Sequence, residues 1–257
     1  MFSFENFDIK LDTESIGRNF IYCEEVESTN ALLLQNRDDF KLHGTVVLAE
    51  KQTGGRGRKD RKWFSAKDQN LTFSILLKNK INRQKVNLIN FGTSLAIAYS
   101  LENLFQLKLN LKWPNDVLVG DEKIAGILLE SVSKGSQIER LVVGIGLNVN
   151  QTTFQGAYNL PPTSVKKETG NEIDRERLLS DILNNFEEIL DRVATAPETV
   201  LNDWKSRCRM IGEKITVQDD NLLKNGIFDD VDEEGFLILK NENNETERII
   251  FGDVSLR

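Results

Sequence analysis

Gly55-Arg56-Gly57-Arg58-Lys59-Asp60-Arg61-Lys62-Trp63 is the part of this chain best suited to handling anions. Five basic residues stand against one acid, Asp60, between Arg56 and Lys62. Glycines let a backbone approach a ligand closely and take positive φ. Arginine forks match the oxygens of carboxylates and phosphates. Joining a carboxylate to the α-phosphate of a nucleotide brings two anions together, and an uncompensated site would repel them. The spacing is not that of a Walker loop. A solvated basic surface loop is the bland alternative.

Three further segments combine residue types that turns and strands alone explain poorly. In Lys112-Trp113-Pro114-Asn115-Asp116, Pro114 restricts Trp113 to extended backbone and fixes a turn. A turn accounts for Pro-Asn-Asp, but less well for the lysine and tryptophan before it. Asp116 is a candidate Mg²⁺ ligand, because magnesium is often held by few carboxylates plus substrate phosphates. Lys123-Ile124-Ala125-Gly126-Ile127-Leu128-Leu129-Glu130 reads as a buried strand. Gly126 within it marks close approach of a ligand or another backbone. Lys123 is either an exposed strand end or a cation of a site. Gly144-Ile145-Gly146-Leu147-Asn148-Val149-Asn150 lacks the third glycine of a dinucleotide fingerprint and ends a strand instead of opening a helix. Asn148 is a turn residue or a polar contact to a ligand.

The elements that must position these segments follow from periodicity. Strands are expected at 20–24, 45–49, 71–77, 107–112, 116–120, 124–130 and 140–146. Ser28-Thr29-Asn30 opens a helix with N-cap chemistry. Leu88, Phe91, Leu95, Tyr99 and Phe105 recur at near-helical spacing, as do Leu178, Leu179, Ile182, Leu183, Phe186, Ile189 and Leu190. Residues 150–164 form a long polar loop, and Pro197 precedes a short helix around Trp204. From Gly212 onward, short apolar runs at 215–217, 226–228, 236–239 and 248–251 alternate with acidic and Asn-rich turns such as Asp219-Asp220, the rhythm of a small β-barrel. The expected boundary near 209–212 divides a 1–209 domain from a 210–257 barrel.

Composition excludes several classes. The 257 residues carry a formal net charge of −7, which argues against a duplex-binding protein. No apolar run approaches the roughly 20 residues that span a bilayer. The acidic N-terminus is not a secretory signal. Cys23 and Cys208 form neither a disulfide framework nor a zinc motif, so a reducing cytoplasm is the expected setting. A Ser-His or Cys-His triad would have to use the single histidine, His43, which reads as structural beside Gly44.

Taken in order, the four segments resemble those of biotin–protein ligases, monofunctional type, and the resemblance covers about the whole chain. The arginine-glycine loop corresponds to Gly55–Trp63, the Lys-Trp-Pro-Asn-Asp motif to 112–116, the Lys-x-x-Gly-Ile-Leu-x-Glu motif to 123–130, and Gly-x-Gly-Leu-Asn-Val to 144–149. Gly252-Asp253-Val254-Ser255-Leu256-Arg257 resembles the end of the family's C-terminal barrel. In the loop, Lys59 and Asp60 replace a second Arg-Gly pair, which lowers the local charge and costs backbone freedom. Only 27 residues precede Ser28, so no DNA-binding domain is expected, and hence no nucleic-acid partner.

The resemblance implies an α/β (α+β) fold: a mixed-sheet, class II aminoacyl-tRNA synthetase-like catalytic domain followed by an SH3-like barrel. It implies ATP-dependent formation of biotinyl-5′-AMP, then transfer of biotin to a lysine of a biotin carboxyl carrier domain. Ser28, Thr29, Asn30, Gln52 and Gly126 would contact biotin, and Arg56, Gly57 and Arg58 would fold over biotin and phosphates. Lys123 would sit against the biotin carboxylate and the α-phosphate, acting with Arg56 and Arg58 in catalysis. Arg58, Arg61, Trp63, Lys112, Asn115 and Asn148 would serve the nucleotide, and the loop at 150–160 would close over the adenylate. Mg²⁺ would accompany ATP, no tightly bound prosthetic group is implied, and monomer and homodimer both stay open. Rival readings are a lipoate–protein ligase-like adenylating enzyme and a non-catalytic biotin sensor.

Overall fold

The computed structural model of the chain describes residues 2–35, 42–78, 81–135, 137–156, 158–219 and 222–256. Expectations that touch Asp220 and Arg257 lie outside these. A seven-stranded sheet carries the site. It comprises β1 (Phe20–Val26), β2 (Val46–Gln52), β3 (Leu71–Leu77), β4 (Leu109–Lys112), β5 (Asp116–Val119), β6 (Glu122–Lys134) and β7 (Gln137–Leu147), in spatial order β1-β2-β3-β7-β6-β5-β4. β1 and β2 run parallel, linked through helix α2 (Thr29–Leu34), and the other neighbours are antiparallel. This is the mixed sheet expected from the sequence.

Successive strand residues point to opposite faces, and that rule separates core from site. Leu71, Phe73, Ile75 and Leu77 of β3 and Leu141, Val143, Ile145 and Leu147 of β7 belong to the main core. Thr72, Ser74, Gly144 and Gly146 therefore share the opposite face. The polar half of the β3 alternation is not a solvated face, since Thr72 and Ser74 are only 4 % and 0 % exposed. α2 covers one end of this second face through a small cluster of Leu33, Val47, Leu76 and Val142. The rest lies under the functional cavity.

The core face is covered by helices α3 (Val86–Phe105), α5 (Arg175–Thr195) and α6 (Pro197–Arg207), with the short helix α4 (Val165–Thr169) entering before α5. α5 begins at Asp174, whose side chain accepts the Arg177 N–H, and it buries the stripe from Leu178 to Val193. α3 is buried on most sides because α5 packs on it from behind. A Cβ on Gly92 would meet Ile189 at 2.6 Å, so glycine permits that approach. Another helix, α1 (Phe4–Asp8), has no counterpart in the sequence expectations. Its Phe7 packs on Phe20 with ring centroids 4.6 Å apart. The lone histidine is structural as expected: His43 Nδ1 accepts the Lys78 N–H at 3.1 Å, and burial pushes the imidazole below its usual range.

The small antiparallel sheet has five strands, β8 (Lys214–Asp219), β9 (Leu222–Val231), β10 (Leu237–Lys240), β11 (Thr246–Ile249) and β12 (Asp253–Leu256), in order β11-β10-β9-β8-β12. It packs against the larger part of the chain, where the Trp113 indole N–H donates to the Gly235 carbonyl at 3.2 Å. Among the described residues no helix is long and apolar enough to cross a membrane.

The N-terminal segment is pinned by one carboxylate. Glu187 on α5 accepts the N–H groups of Glu14, Ser15 and Ile16 at 2.5–2.9 Å and the Ser15 hydroxyl at 2.9 Å. Burial alone would raise its pKa, but these four donors outweigh it and hold the carboxyl below its usual value. Its contribution is thus present above the unfolded-state pKa and lost as pH falls through the folded one. Glu187→Gln should cost about 1–2 kcal/mol at pH 7, moderated by partial solvent screening, and much less in acid. Denaturant titrations at pH 7 and pH 3.5 check this; an equal loss at both would contradict it.

Candidate active site

The second face of the large sheet is a trough because three facing positions lack side chains. Gly126 on β6 pairs with Gly146 on β7, and Gly146 and Gly144 pair with Thr72 and Ser74 on β3. A Cβ on Gly144 would lie 2.3 Å from Asn30 Oδ1, and one on Gly146 would lie 2.3 Å from the Trp63 indole. At Gly126 it would meet Lys123 at 3.0 Å and Trp63 at 3.3 Å. The close approach expected at Gly126 is made by these two side chains. Above the trough lies a cavity of about 720 Å³. Every residue expected to serve biotin or nucleotide lines it, Asp116 included.

One end is lined by the uncharged side chains of Ser28, Thr29, Asn30 and Gln52 and is closely bonded. The Ser28 hydroxyl caps α2 by accepting the Ala31 N–H. Thr29 donates its backbone N–H and its hydroxyl to Gln52 Oε1 at 2.7 and 3.0 Å. Ser74 Oγ stands 2.6 Å from both Thr29 Oγ1 and Asn30 Oδ1. Asn30 Nδ2 donates to the Leu128 carbonyl and to Glu130 Oε2 at 3.1 and 2.8 Å. With Gln52 Oε1 occupied by Thr29, its amide N–H groups have no partner among the described residues and can serve a ligand. Ser74 and Glu130 join the site beyond the residues expected from the sequence. Period-two alternation could have marked Ser74, whereas the partner of Glu130 is far away in sequence.

The other end is cationic. Lys123 Nζ lies 2.6 Å from Asp116 Oδ1 and 5.6 Å from the centroid of the Trp63 ring. Its backbone is clamped, donating to the Pro161 carbonyl and accepting from Thr163 N–H. Lys112, opposite Asp116 in the β4–β5 register, is half-buried. Burial pushes its ammonium below the usual lysine range; Asp116 opposes this, and Lys123, Arg61 and Arg58 add to it. Burial likewise lowers Arg58. Such a cluster lacks enough negative charge of its own.

Two asparagines expected at the nucleotide have structural bonds to make. Asn148 Nδ2 donates to the Thr163 carbonyl at 3.0 Å, tying the long loop down. Asn115 Nδ2 donates to the Ile127 carbonyl at 2.5 Å and so grips β6. The Trp113–Pro114 peptide between them and β4 is cis. The expectation for Asp116 as a magnesium holder meets a chemical objection. Its carboxylate already carries the Lys123 ammonium and faces Lys112 and Arg58. Among the described residues no group of three or more His, Cys, Asp or Glu is arranged to hold a metal. The residues present do not fit a protein-held divalent ion.

The arginine-glycine segment is more regular than expected. It forms a small hairpin, with Gly57 N–H donating to Arg61 O, Trp63 N–H to Gly55 O, and a bridge between Arg56 and Lys62. A 3₁₀ turn spans Arg58–Asp60. The positive φ expected of its glycines falls on Lys59 instead, at φ 53° and ψ 45°. Gly55 is needed for space, since a Cβ there would lie 2.5 Å from Trp63 O. Arg56 pairs with Glu130 at 3.3 Å, and Arg58 and Arg61 both reach Asp253 on β12. Asp253 belongs to the terminal motif, and these pairs bring it to the site beyond the residues expected there. The effect expected of the Asp60 side chain lies outside what the structure describes.

Comparison with known proteins agrees with this arrangement. The chain matches the biotin/lipoate A/B protein ligase family over residues 22–148 and the biotin protein ligase C-terminal domain over 210–257. It is 34 % identical over 223 residues to the biotin–[acetyl-CoA-carboxylase] ligase of Paracoccus denitrificans, covering 83 % of this chain and 91 % of that one. It is 30 % identical over 249 residues to the bifunctional ligase/repressor BirA of Bacillus subtilis, covering 96 % and 76 %. The fold also aligns with biotin protein ligase from Aquifex aeolicus in complex with biotin and ATP, at a TM-score of 0.78, 29 % identity and coverage of 93 % and 99 %.

The trough makes a direct prediction. Gly146→Ala should push the Trp63 indole off the sheet, at a cost of about 1–3 kcal/mol. Trp113 and Trp204 are 2 % and 1 % exposed and serve as a fixed background. Tryptophan emission should shift to the red; unchanged emission in folded protein would show that the indole does not rest on Gly146.

Proposed function

From the membership of this chain in the biotin/lipoate A/B protein ligase family, we infer how its pocket works as a biotin–protein ligase. It activates biotin with ATP and passes the biotinyl group to a protein amine. The observation that carries the assignment of roles is the polarity of the cavity. A neutral hydrogen-bonding end built from Ser28, Thr29, Asn30 and Gln52 is joined, across a glycine trough, to a cationic end built around Lys123.

The ureido head of biotin is a compact neutral donor–acceptor group. We place it at the neutral end, where Gln52 offers free N–H donors. Its aliphatic tail would follow the trough beside Trp63 and Gly126, which puts the carboxylate at Lys123. The ATP triphosphate would lie among Lys123, Lys112, Arg58 and Arg61, with Arg56 and Gly57 folding over the junction. In the first step a biotin carboxylate oxygen attacks the α-phosphorus, a C–O–P linkage forms, the bond to the β-phosphate breaks and pyrophosphate leaves. Two unit charges 4 Å apart repel by about 4 kcal/mol at an effective dielectric of 20. Lys123 offsets that approach and the charge that develops at phosphorus. Magnesium would enter as the counter-ion of the nucleotide.

In the second step a lysine amine attacks the acyl carbon, its bond to the phosphate oxygen breaks and AMP leaves. The acceptor is proposed to be a lysine of a biotin carboxyl carrier domain. Neither step needs a protein nucleophile, which suits a chain whose single histidine is structural. The loop at 150–160, anchored at its far end through Asn148 and Thr163, is proposed to shield the hydrolysable anhydride. Residues up to about 209 would do this chemistry, with the 210–257 sheet as a separate closing element. Lipoate as the acid is the nearest alternative.

Exchange of labelled pyrophosphate into ATP, run separately with biotin and with lipoate, tests the reading. Exchange with biotin alone is expected; exchange with lipoate alone would move the chain to the other branch of the family, and none with either would remove the activation step. Lys123→Ala should reduce exchange by about 10²–10³-fold, the scale of losing one charge-stabilising donor, since it also leaves Asp116 facing the phosphates unpaired. Undiminished exchange in that variant would take Lys123 out of the chemistry.

A further inference from the structure

The arginine hairpin is fastened to the small sheet at several points. Arg58 NH1 donates to the Gly252 carbonyl at 3.3 Å and lies 3.8 Å from Asp253 Oδ1. Arg61 places its guanidinium on the other oxygen of the same carboxylate, Asp253 Oδ2. Lys59 Nζ donates to the Gln218 carbonyl at 3.1 Å, and Gln218 is the β8 partner of Asp253 in the sheet. Asp253 and Gln218 also line the cavity. Two consecutive cationic side chains of the turn, Arg58 and Lys59, and a third nearby, Arg61, thus end on one row of two strands.

Among the side chains the structure describes, which do not include that of Asp60, Asp253 is the one carboxylate within ion-pair distance of Arg58 or Arg61. Without it, the Arg58 guanidinium would face that of Arg61, and both would face Lys112 across the cavity mouth. Like charges at that range separate. The turn also holds Lys59 in the left-handed region, which costs a non-glycine residue about 1–2 kcal/mol. Something outside the hairpin must offset both terms. One carboxylate shared by two arginines leaves net positive charge over the cavity. The anchor therefore holds the pair in place without cancelling it.

We propose that Asp253 is a positioning residue for nucleotide activation: from the last strand of the small sheet it sets Arg58 and Arg61 at the cavity mouth before ATP arrives. The proposal rests on the ligase reading above and adds to it a residue outside the catalytic sheet. A group that preorganises phosphate ligands should alter nucleotide use and leave the biotin end alone.

The test is Asp253→Asn in the full chain, read two ways. In biotin-dependent pyrophosphate exchange, the KM for ATP should rise about tenfold, with the KM for biotin and the melting temperature nearly unchanged, and Asp253→Glu should recover most of the loss. In ligand-free protein, amide hydrogen exchange over residues 55–63 should accelerate in Asp253→Asn and not in Asp253→Glu. An unchanged or lowered KM for ATP would overturn the proposal, the lowered value meaning that Asp253 competes with phosphate. Unchanged amide exchange would overturn it as well. If the unmodified protein shows no exchange with biotin, the ligase reading fails, while the amide measurement still decides whether Asp253 orders the hairpin.

Discussion

Arg175 and Glu50 meet in the interior, with side chains 7 % and 0 % exposed, and much of the site hangs on that contact. The two guanidinium nitrogens take both carboxylate oxygens, at 2.6 and 3.0 Å, and one also donates to the Asn70 carbonyl. Glu50 raises the pKa of Arg175 against the opposing effect of burial. A buried pair of this kind adds little stability over apolar packing, but neither partner can be lost alone without stranding a charge. Its value is positional. Glu50 lies two residues before Gln52 on β2, Asn70 leads into β3, and Arg175 opens α5. Asn70 continues the chain of contacts, accepting from Val149 N–H and donating to Gln151, which accepts from Ala66 N–H. The strand that carries the neutral end, the residues just after Trp63 and the start of the long loop are thus referred to one point.

Against that frame the sheet does something simple. It withholds side chains. Gly126, Gly144 and Gly146 leave room that Asn30 and Trp63 occupy from outside the sheet. Asn30 comes from the crossover helix between two parallel strands and Trp63 from the hairpin after β2, so a neutral and an aromatic surface meet over the same three glycines. The polar end touches the cations of the hairpin at one point, where Glu130 takes Asn30 on one oxygen and Arg56 on the other.

Much of this could be read in the residues before any coordinates. The long strands, α3, α5 and the barrel rhythm are periodic and local, and they appear within a few residues of where periodicity put them. The four motifs mark the cavity because their glycines, lysines and arginines sit in patterns that packing does not require. The rest depends on partners distant in sequence. Asn115 and Asn148 line the cavity, and each also donates its amide to a backbone carbonyl more than ten residues away, which no local pattern announces. Asp116 looks like a metal ligand until Lys123 is seen beside it. Glu130 and Asp253 stand in quoted motifs and Ser74 in a strand alternation, but the partner that gives each its part comes from far away in sequence. Lys59 takes a conformation expected of glycine because a second sheet holds it there.

Five of the seven cations that line the cavity have an acid within ion-pair distance among the described residues. Arg56 has Glu130, Arg58 and Arg61 share Asp253, Lys123 has Asp116, and Arg209 has Asp121. A visiting anion must therefore replace contacts rather than merely add them. A small monovalent ion returns less than it displaces, whereas a triphosphate touches several of these groups at once and returns more. The paired state thus favours anions of high valence and long reach over small ones.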